Sequence, residues 1–154
     1  MRALVQRVAW AKVEVDDEVT GAIEKGLLVY LGAGKGDGDV ERAYVLQKVI
    51  GLRIFEDDAG KMDLSVLDVG GALLVVSQFT LYGDVRGGRR PSFVDAMPPE
   101  DAERAYDAFV REARQQIKVE TGRFRAHMRV SSLNDGPVTL WIDSAAKSGD
   151  TRTP

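Results

Sequence analysis

The sequence contains no cysteine and a single histidine, His127. Without cysteine there can be no disulfide, no thiolate nucleophile and no cysteine-ligated metal site, a composition that fits a reducing cytosol. A serine–histidine–aspartate triad or a histidine-rich zinc site would depend on His127 alone. We therefore expect a cytoplasmic protein, with no metal site built from several histidines or cysteines.

Long apolar runs are also missing. None approaches the roughly 20 residues of a membrane helix, and the first ten residues do not resemble a secretory signal, so we expect no membrane partner. The 154 residues are enough for one domain with a hydrophobic core. The net charge of −3 argues against a strongly basic nucleic-acid binder, although a local basic face stays compatible with it.

Alternation and short apolar runs predict a chain made mostly of strands. Runs 27–31 and 72–76 are continuously apolar, which is typical of strands buried on both faces. The predicted strands are 2–8 with 11–15, forming a hairpin with 19–23, then 27–31, 52–55, 72–76, 123–130 and 138–142.

Two helices are predicted from apolar side chains at three- and four-residue steps. One starts at Asp39, a good N-cap, and the other runs from Pro98 to about Ile117, with prolines in its first turn. We expect one α+β domain over residues 1–144. The small, polar tail of residues 145–154 is expected to be disordered.

The glycine-rich stretch 32–38 does not predict nucleotide binding. The glycine that a G-x-G-x-x-G motif would need is Asp37, and Lys35 is followed by Gly36 instead of serine or threonine. We interpret this stretch as a surface loop. In the predicted strand 123–130, His127 would lie on an outward basic face, where a surface or RNA-facing role is favoured over that of a general base.

Three segments carry candidate functional residues. Ser77, Gln78, Phe79 and Thr80 follow a buried strand, which places polar groups and free backbone N–H donors where that strand ends. The stretch 134–139 is predicted to be a tight turn. The candidate phosphate-binding residues are the arginines of a glycine-punctuated loop, Arg86, Arg89 and Arg90.

These segments resemble, in order and spacing, those of the D-aminoacyl-tRNA deacylases, formerly called D-tyrosyl-tRNA deacylases, and the resemblance extends from Met1 to about Ser144. The matching stretches are 5–8 (VQRV), 26–29 (GLLV), 60–62 (GKM), 73–82 (LLVVSQFTLY), 88–93 (GRRPSF), 121–124 (TGRF) and 134–139 (NDGPVT).

The resemblance implies a homodimer with a single-domain, barrel-like β-sheet and two main helices. It implies an active site at the subunit interface, made of Ser77–Thr80 from one chain and a cis Gly136–Pro137 from the other. The implied substrate is tRNA esterified with a D-amino acid, and also glycine mischarged on alanine tRNA. No metal and no cofactor are implied.

An aminoacyl ester is already activated, so hydrolysis can depend on positioning and oxyanion stabilisation. We predict that the backbone N–H groups of Phe79 and Thr80 supply the donors, while Ser77 and Gln78 hold the ester and the terminal adenosine. The carbonyl oxygens of Gly136 and Pro137 would accept hydrogen bonds from the α-ammonium of the substrate. The side chain of an L-amino acid would then clash with the backbone. Met128 is expected to line the pocket.

Three alternatives stay open: a covalent Thr80 nucleophile, a non-catalytic tRNA-binding module of the same fold, and a general esterase using Ser77 or Thr80. The sequence also departs from the family at one place. After residues 121–124 the family usually continues Gly-Ala, whereas Arg125 precedes Ala126 here, and His127 precedes Met128. We expect Arg125 and His127 on the outward face, where they would alter tRNA contacts.

Overall fold

The structure is a computed structural model that describes residues 1–148. The strands are β1 (Arg2–Val15), β2 (Glu18–Ile23), β3 (Gly26–Gly32), β4 (Phe55–Glu56), β5 (Met62–Leu64), β6 (Ala72–Ser77), β7 (Val119–Thr121) and β8 (Arg129–Asp143). The helices are α1 (Asp39–Gly51) and α2 (Pro99–Arg114), with short 3-10 helices at Phe79–Tyr82 and Ser144–Ser148.

The main sheet is organised around β1. Along the order β2-β1-β3-β6-β7, β1 pairs antiparallel with β2 and β3, and β8 pairs with β1 over most of its length. The far ends of this order approach each other, because the Thr20 hydroxyl donates to the Thr121 carbonyl oxygen across 3.4 Å. The sheet is therefore nearly closed, which confirms the predicted barrel-like α+β fold with two main helices.

Strands β3 and β6 are parallel neighbours and are buried on both faces. Leu27 and Leu28 point to opposite faces and are each completely buried, as are Leu73 and Leu74 opposite them. The continuous apolar runs of the sequence predicted this correctly, since only a strand covered on both sides needs an apolar residue at every position.

The buried side chains form two cores, one on each face of the sheet. Helices α1 and α2 cover the first core with Val45, Val49 and Phe109. The second core lies on the other face, around Leu28 and Leu74, and is covered by Ala126, Met128 and Val130. The segment that leads into β8 therefore covers the second core.

Two predicted element starts are corrected. The N-cap of α1 is Gly38, whose N–H donates to the Glu41 carboxylate across 2.8 Å. Asp39 is the first helical residue, and its carboxylate pairs with Arg42 at 3.0 Å. The strand predicted at 52–55 begins only at Phe55, where β4 pairs with β5.

The predicted strand 123–130 is wrong for most of its length. Residues 122–128 form an irregular turn, and Arg125 has a left-handed φ of 65°. Strand structure resumes at Arg129 and continues to Asp143, well beyond the predicted 138–142. The predicted turn at 134–139 lies inside β8: Thr139 pairs with Gln6 and Asn134 with Val8, so residues 135–138 bulge opposite Arg7.

The predicted disordered tail is mostly outside the described residues. Its first residues belong to the 3-10 helix Ser144–Ser148, whereas residues 149–154 lie outside the part that the structure describes. Neither helix nor any other helical segment within residues 1–148 is long and apolar enough to span a membrane.

Candidate active site

A cavity of about 630 Å³ opens where β3 and β6 end. Ser77, Gln78 and Phe79 form part of its wall, together with Met128 from the turn before β8. Other parts of the wall come from residues 31–33, from Phe93 and residues 96–99, and from Ala102 and Tyr106 of α2. Its volume lies within the roughly 300–1,000 Å³ that is typical of small-molecule sites.

The polar end of β6 turns sharply into a 3-10 helix. The Gln78 N–H donates to the Leu31 carbonyl oxygen at 2.8 Å, which completes the parallel pairing with β3. The Gln78 side-chain amide donates to the Thr80 hydroxyl oxygen. Phe79 is 56% exposed, and its ring contacts the edge of Phe93 with centroids 5.0 Å apart.

The backbone N–H groups of Phe79 and Thr80 are unused within residues 1–148, since no hydrogen bond there has either as its donor. This follows from their place in the first turn of a 3-10 helix, where N–H groups have no intrahelical acceptor. Two adjacent backbone donors therefore follow the polar residues Ser77 and Gln78 directly in the chain.

The 3-10 helix is anchored by Arg2 and Tyr82. The Arg2 guanidinium donates to the Leu81 carbonyl oxygen at 3.1 Å and lies over the Tyr82 ring, 4.3 Å from its centroid. The Tyr82 hydroxyl donates to the Asp37 carboxylate at 3.2 Å. Burial and the nearby Asp37 carboxylate raise the pKa of Tyr82, so the hydroxyl stays protonated and keeps this bond.

Tyr106 of α2 closes the back of the cavity. Its hydroxyl donates to the Val75 carbonyl oxygen at 2.7 Å in a buried environment. Burial raises the pKa of Tyr106, so it is a neutral structural donor. It links the helix to β6 two residues before Ser77.

The second candidate segment lies on β8. Its Gly136–Pro137 peptide is cis, as the resemblance implied. The Arg7 guanidinium donates to the Asp135 carbonyl oxygen at 2.8 Å, and the Val138 N–H donates to the Asn134 side-chain oxygen at 2.9 Å. Gly136 and Pro137 are exposed and do not line the cavity of their own chain.

The three arginines of the predicted loop differ in whether their side chains are paired. Arg86 binds Asp84 through its backbone N–H and two guanidinium nitrogens, at 2.7–2.9 Å. Arg89 and Arg90 are exposed, and neither has a hydrogen-bond or ion-pair partner among residues 1–148. The same loop leads into Phe93, which lines the cavity.

Arg125 and His127 are exposed, as the sequence predicted, and they also line the cavity with Ser77 and Met128. The contact with the cavity was not predicted, because residues 122–128 form a turn instead of a strand. Sequence reasoning also missed Arg2 and Tyr106. Arg2 gave no local signal, because its contact with Leu81 joins residues 79 positions apart.

The candidate residues thus fall into two groups. The structure brings Ser77, Gln78, Phe79 and Met128 together in the cavity, with Thr80 beside them on the 3-10 helix. Gly136 and Pro137 lie apart from them within one chain. Among residues 1–148, no group of three or more histidine, aspartate or glutamate side chains is placed to hold a metal ion.

Comparisons with known proteins give one consistent family. The family model described as D-Tyr-tRNA(Tyr) deacylase matches residues 4–143. A D-aminoacyl-tRNA deacylase of Thermotoga petrophila is 56% identical over 94% of this chain and 98% of its own length. One from Thermosipho africanus is 57% identical, covering 94% and 97% of the two chains.

Solved structures agree on the fold. A c-Myc DNA unwinding element binding protein superposes with a TM-score of 0.89 and 41% identity, over 93% of this chain and 98% of its own. A probable eukaryotic D-amino acid tRNA deacylase superposes with a TM-score of 0.78 over 92% and 98% of the two chains. Its 18% identity supports the fold alone.

Proposed function

Because the chain belongs to the D-Tyr-tRNA(Tyr) deacylase family and is a hydrolase of D-aminoacyl-tRNA, we propose that it selects its substrates by handedness alone, through backbone groups. In this proposal the Ser77–Thr80 segment of one subunit carries the chemistry. Gly136 and Pro137 of a second subunit complete the site. The observation that carries the proposal is that, within residues 1–148, the adjacent N–H donors of Phe79, which lines the cavity, and of Thr80 have no acceptor.

These two donors would bind the oxyanion that develops when water attacks the ester carbonyl. One well-placed donor contributes about 2.7–4 kcal/mol to such a transition state. The α-ammonium of the substrate already withdraws electrons from the carbonyl, so a strong nucleophile is not required. Ser77 and Gln78 would hold the ester and the terminal adenosine, and a vicinal ribose hydroxyl of the substrate would carry the proton.

Selection against L substrates would come from the carbonyl oxygens of Gly136 and Pro137. If they accept the α-ammonium, a D side chain points to solvent while an L side chain meets main chain. Backbone cannot move aside by changing a rotamer, so the rejection is steric. Glycine has no side chain to reject, and we therefore propose that glycine mischarged on alanine tRNA is also released. Met128 would line the pocket beside the substrate.

A homodimer is proposed because one chain does not bring the two halves of the site together. Strand β8 pairs only with β1 within residues 1–148, and its outer face displays apolar side chains. Trp10 and Leu133 are cross-strand partners that are 41% and 51% exposed, and Trp141 is 50% exposed. Exposed apolar surface of this kind is typical of protein–protein interfaces.

The remaining contacts with tRNA are assigned to the arginine loop. The guanidinium groups of Arg89 and Arg90 have no partner within residues 1–148. Arg86 is the third candidate, although its guanidinium is already paired with Asp84. Residues 1–144 would form the whole catalytic domain. The lack of cysteine fits a reducing compartment, and we place the enzyme in the cytoplasm.

The test is to measure release of D-tyrosine, L-tyrosine and glycine from charged tRNA, beside hydrolysis of a nitrophenyl ester. We expect release of D-tyrosine and glycine only. Release of both enantiomers would contradict selection by handedness, and hydrolysis of the simple ester alone would indicate a general esterase. Absence of any release with retained tRNA binding would indicate a non-catalytic binding module.

The shared site is tested by mixing two inactive variants, Gln78→Ala and the deletion of Gly136 and Pro137. If each subunit lends its Gly136–Pro137 peptide to its partner, mixed dimers contain one intact site, and about a quarter to a half of the activity returns. No recovery after the subunits have exchanged would contradict a site shared between subunits.

A further inference from the structure

We propose that Arg125, assisted by His127, forms an anion subsite in the wall of the active-site cavity and binds the phosphodiester on the 5′ side of the substrate's terminal adenosine. This rests on the proposed function of the Ser77–Thr80 segment, which places the ester in the same cavity.

The cavity wall has an unbalanced charge. Arg125 and His127 both line it, and no aspartate or glutamate is among the described residues that do. Arg125 and His127 are exposed, and neither has a hydrogen-bond or ion-pair partner in the described part of the chain. The five N–H donors of the Arg125 guanidinium are therefore available to a ligand, and their planar fork matches the oxygens of a phosphate.

The turn that carries Arg125 is held in place from both sides. The Phe124 ring packs against Tyr106, with centroids 5.8 Å apart. Ala126 and Met128 pack against the second core, and the Ala126 N–H donates to the Arg123 carbonyl oxygen at 3.2 Å. The backbone at residue 125 is therefore fixed relative to the cavity while its side chain is free.

Arg125 adopts a left-handed φ of 65°, a conformation that is unfavourable for a long side chain. Strained backbone conformations of this kind are concentrated at functional sites, because surrounding packing must hold them in place. Here the conformation occurs at Arg125, the arginine that lines the cavity among residues 1–148.

The chemistry of the substrate identifies the anion. Around the scissile ester, the α-ammonium is positive and the ester itself is uncharged, so the anion within reach is the phosphodiester of the terminal nucleotide. The D-amino acid product has a carboxylate, and it is the competing anion that the experiment must separate from phosphate.

The experiment compares D-tyrosyl esters on the 3′-hydroxyl of adenosine and of adenosine 5′-monophosphate. For the natural enzyme we expect kcat/KM to be roughly tenfold higher with the 5′-phosphate, the effect of one charge-assisted contact. Arg125→Gln and Arg125→Gly should remove this preference, and His127→Gln should reduce it about twofold to threefold. Arg123→Gln is the matched control, because Arg123 belongs to the same turn but lines a different groove, and it should keep the preference.

Binding of adenosine 5′-monophosphate and of adenosine, measured by calorimetry, tests the subsite without catalysis. Phosphate-dependent affinity that is lost in Arg125→Gln supports the subsite even if neither ester is hydrolysed, in which case the proposed function alone fails. An unchanged preference in Arg125→Gln overturns the subsite, as does a natural enzyme indifferent to the phosphate. Weaker inhibition by free D-tyrosine in Arg125→Gln, with phosphate preference intact, would assign Arg125 to the product carboxylate instead.

Discussion

The Arg7 guanidinium donates a hydrogen bond to the Asp135 carbonyl oxygen at 2.8 Å, across 128 positions of sequence. A second nitrogen of the same side chain donates to the Ile54 carbonyl oxygen at 2.7 Å. Arg7 lies opposite the bulge of residues 135–138 in β8. One side chain thus ties the peptide before Gly136 to β1 and to the segment before β4.

Replacing Arg7 with alanine should release this bulge. We expect the free energy of unfolding to fall by about 1–2 kcal/mol, because two partly exposed charge-assisted hydrogen bonds are lost. If the position of Gly136 and Pro137 matters for the partner's site, kcat/KM for D-tyrosyl-tRNA should fall roughly tenfold or more. Arg129→Ala is the control, because its ion pair with Asp17 is exposed and should contribute less than about 0.5 kcal/mol. Full activity in Arg7→Ala would contradict a role for this anchor.

Replacing Thr80 with valine separates the two possible roles of this residue. The Thr80 hydroxyl accepts a hydrogen bond from Gln78, and no histidine or carboxylate within residues 1–148 is hydrogen-bonded to it, so we expect kcat to fall less than about tenfold. A loss of roughly 10⁴-fold or more would instead identify a covalent nucleophile. Thr80→Ser keeps the hydroxyl and should be nearly as active as the natural enzyme in single-turnover assays.

The Asp84 carboxyl should titrate at unusually low pH. Its hydrogen bonds with Arg86 lower the pKa of Asp84 from its ordinary value of 3.8 to about 2. The contact therefore contributes to loop order above pH 3.8, and this contribution is lost as the pH falls towards 2. NMR titration of the carboxyl carbon measures this pKa, and Arg86→Ala should return it towards 3.8.

The same contact predicts a ranking among the loop arginines for tRNA binding. Arg89→Ala and Arg90→Ala should each weaken binding and reduce the salt dependence by about one phosphate contact, or about 0.7 in the slope of log K against log[salt] for a single strand. Arg86→Ala should change the affinity and its salt dependence less, because the Arg86 guanidinium is already paired with Asp84. Equal effects at Arg86 and Arg90, measured by filter binding, would mean that tRNA displaces Asp84.

Close packing between β3 and β6 predicts a severe effect at Gly26. A Cβ atom added there would lie 1.9 Å from the Ala72 carbonyl oxygen, and two paired backbones cannot separate without loss of the pairing. We expect Gly26→Ala to destabilise the fold by about 3 kcal/mol or more. At Gly87 nothing lies within 4 Å of the added atom, so Gly87→Ala should change stability by less than about 0.5 kcal/mol. Thermal unfolding of the two variants measures the difference.

Much of the fold was predictable because its elements have strong local patterns. Continuous apolar runs indicated β3 and β6, and the apolar stripe from Ala102 to Ala113 indicated α2. The failure at 123–130 has a physical cause: Phe124 packs into the first core, whereas Ala126 and Met128 pack against the second. An irregular turn that packs against two cores also alternates between more buried and more exposed residues. The two-residue period of the sequence is therefore compatible with a turn as well as with a strand.

The segments that form the candidate site could be predicted, but their arrangement in space could not. The resemblance identified residues 77–80 and 134–139, but their separation within one chain depends on sheet topology that no local pattern encodes. The cavity-facing position of Arg125 depends on a left-handed residue, which sequence patterns predict for glycine rather than arginine. The anchors Arg2 and Arg7 bind backbone far along the chain, and backbone acceptors have no sequence signal.

The pairing of β1 with β8 has a consequence for when the enzyme becomes active during synthesis. Arg2 binds Asp143, 141 positions later, so β1 is synthesised long before β8, the strand with which it pairs over most of its length. Contacts between residues that are far apart in the sequence slow folding. Until they form, a nascent chain exposes strand edges that have no partner. The anchors of residues 79–82 and 135–138 both involve β1, so we expect the candidate site to assemble only after nearly all of the domain has been translated.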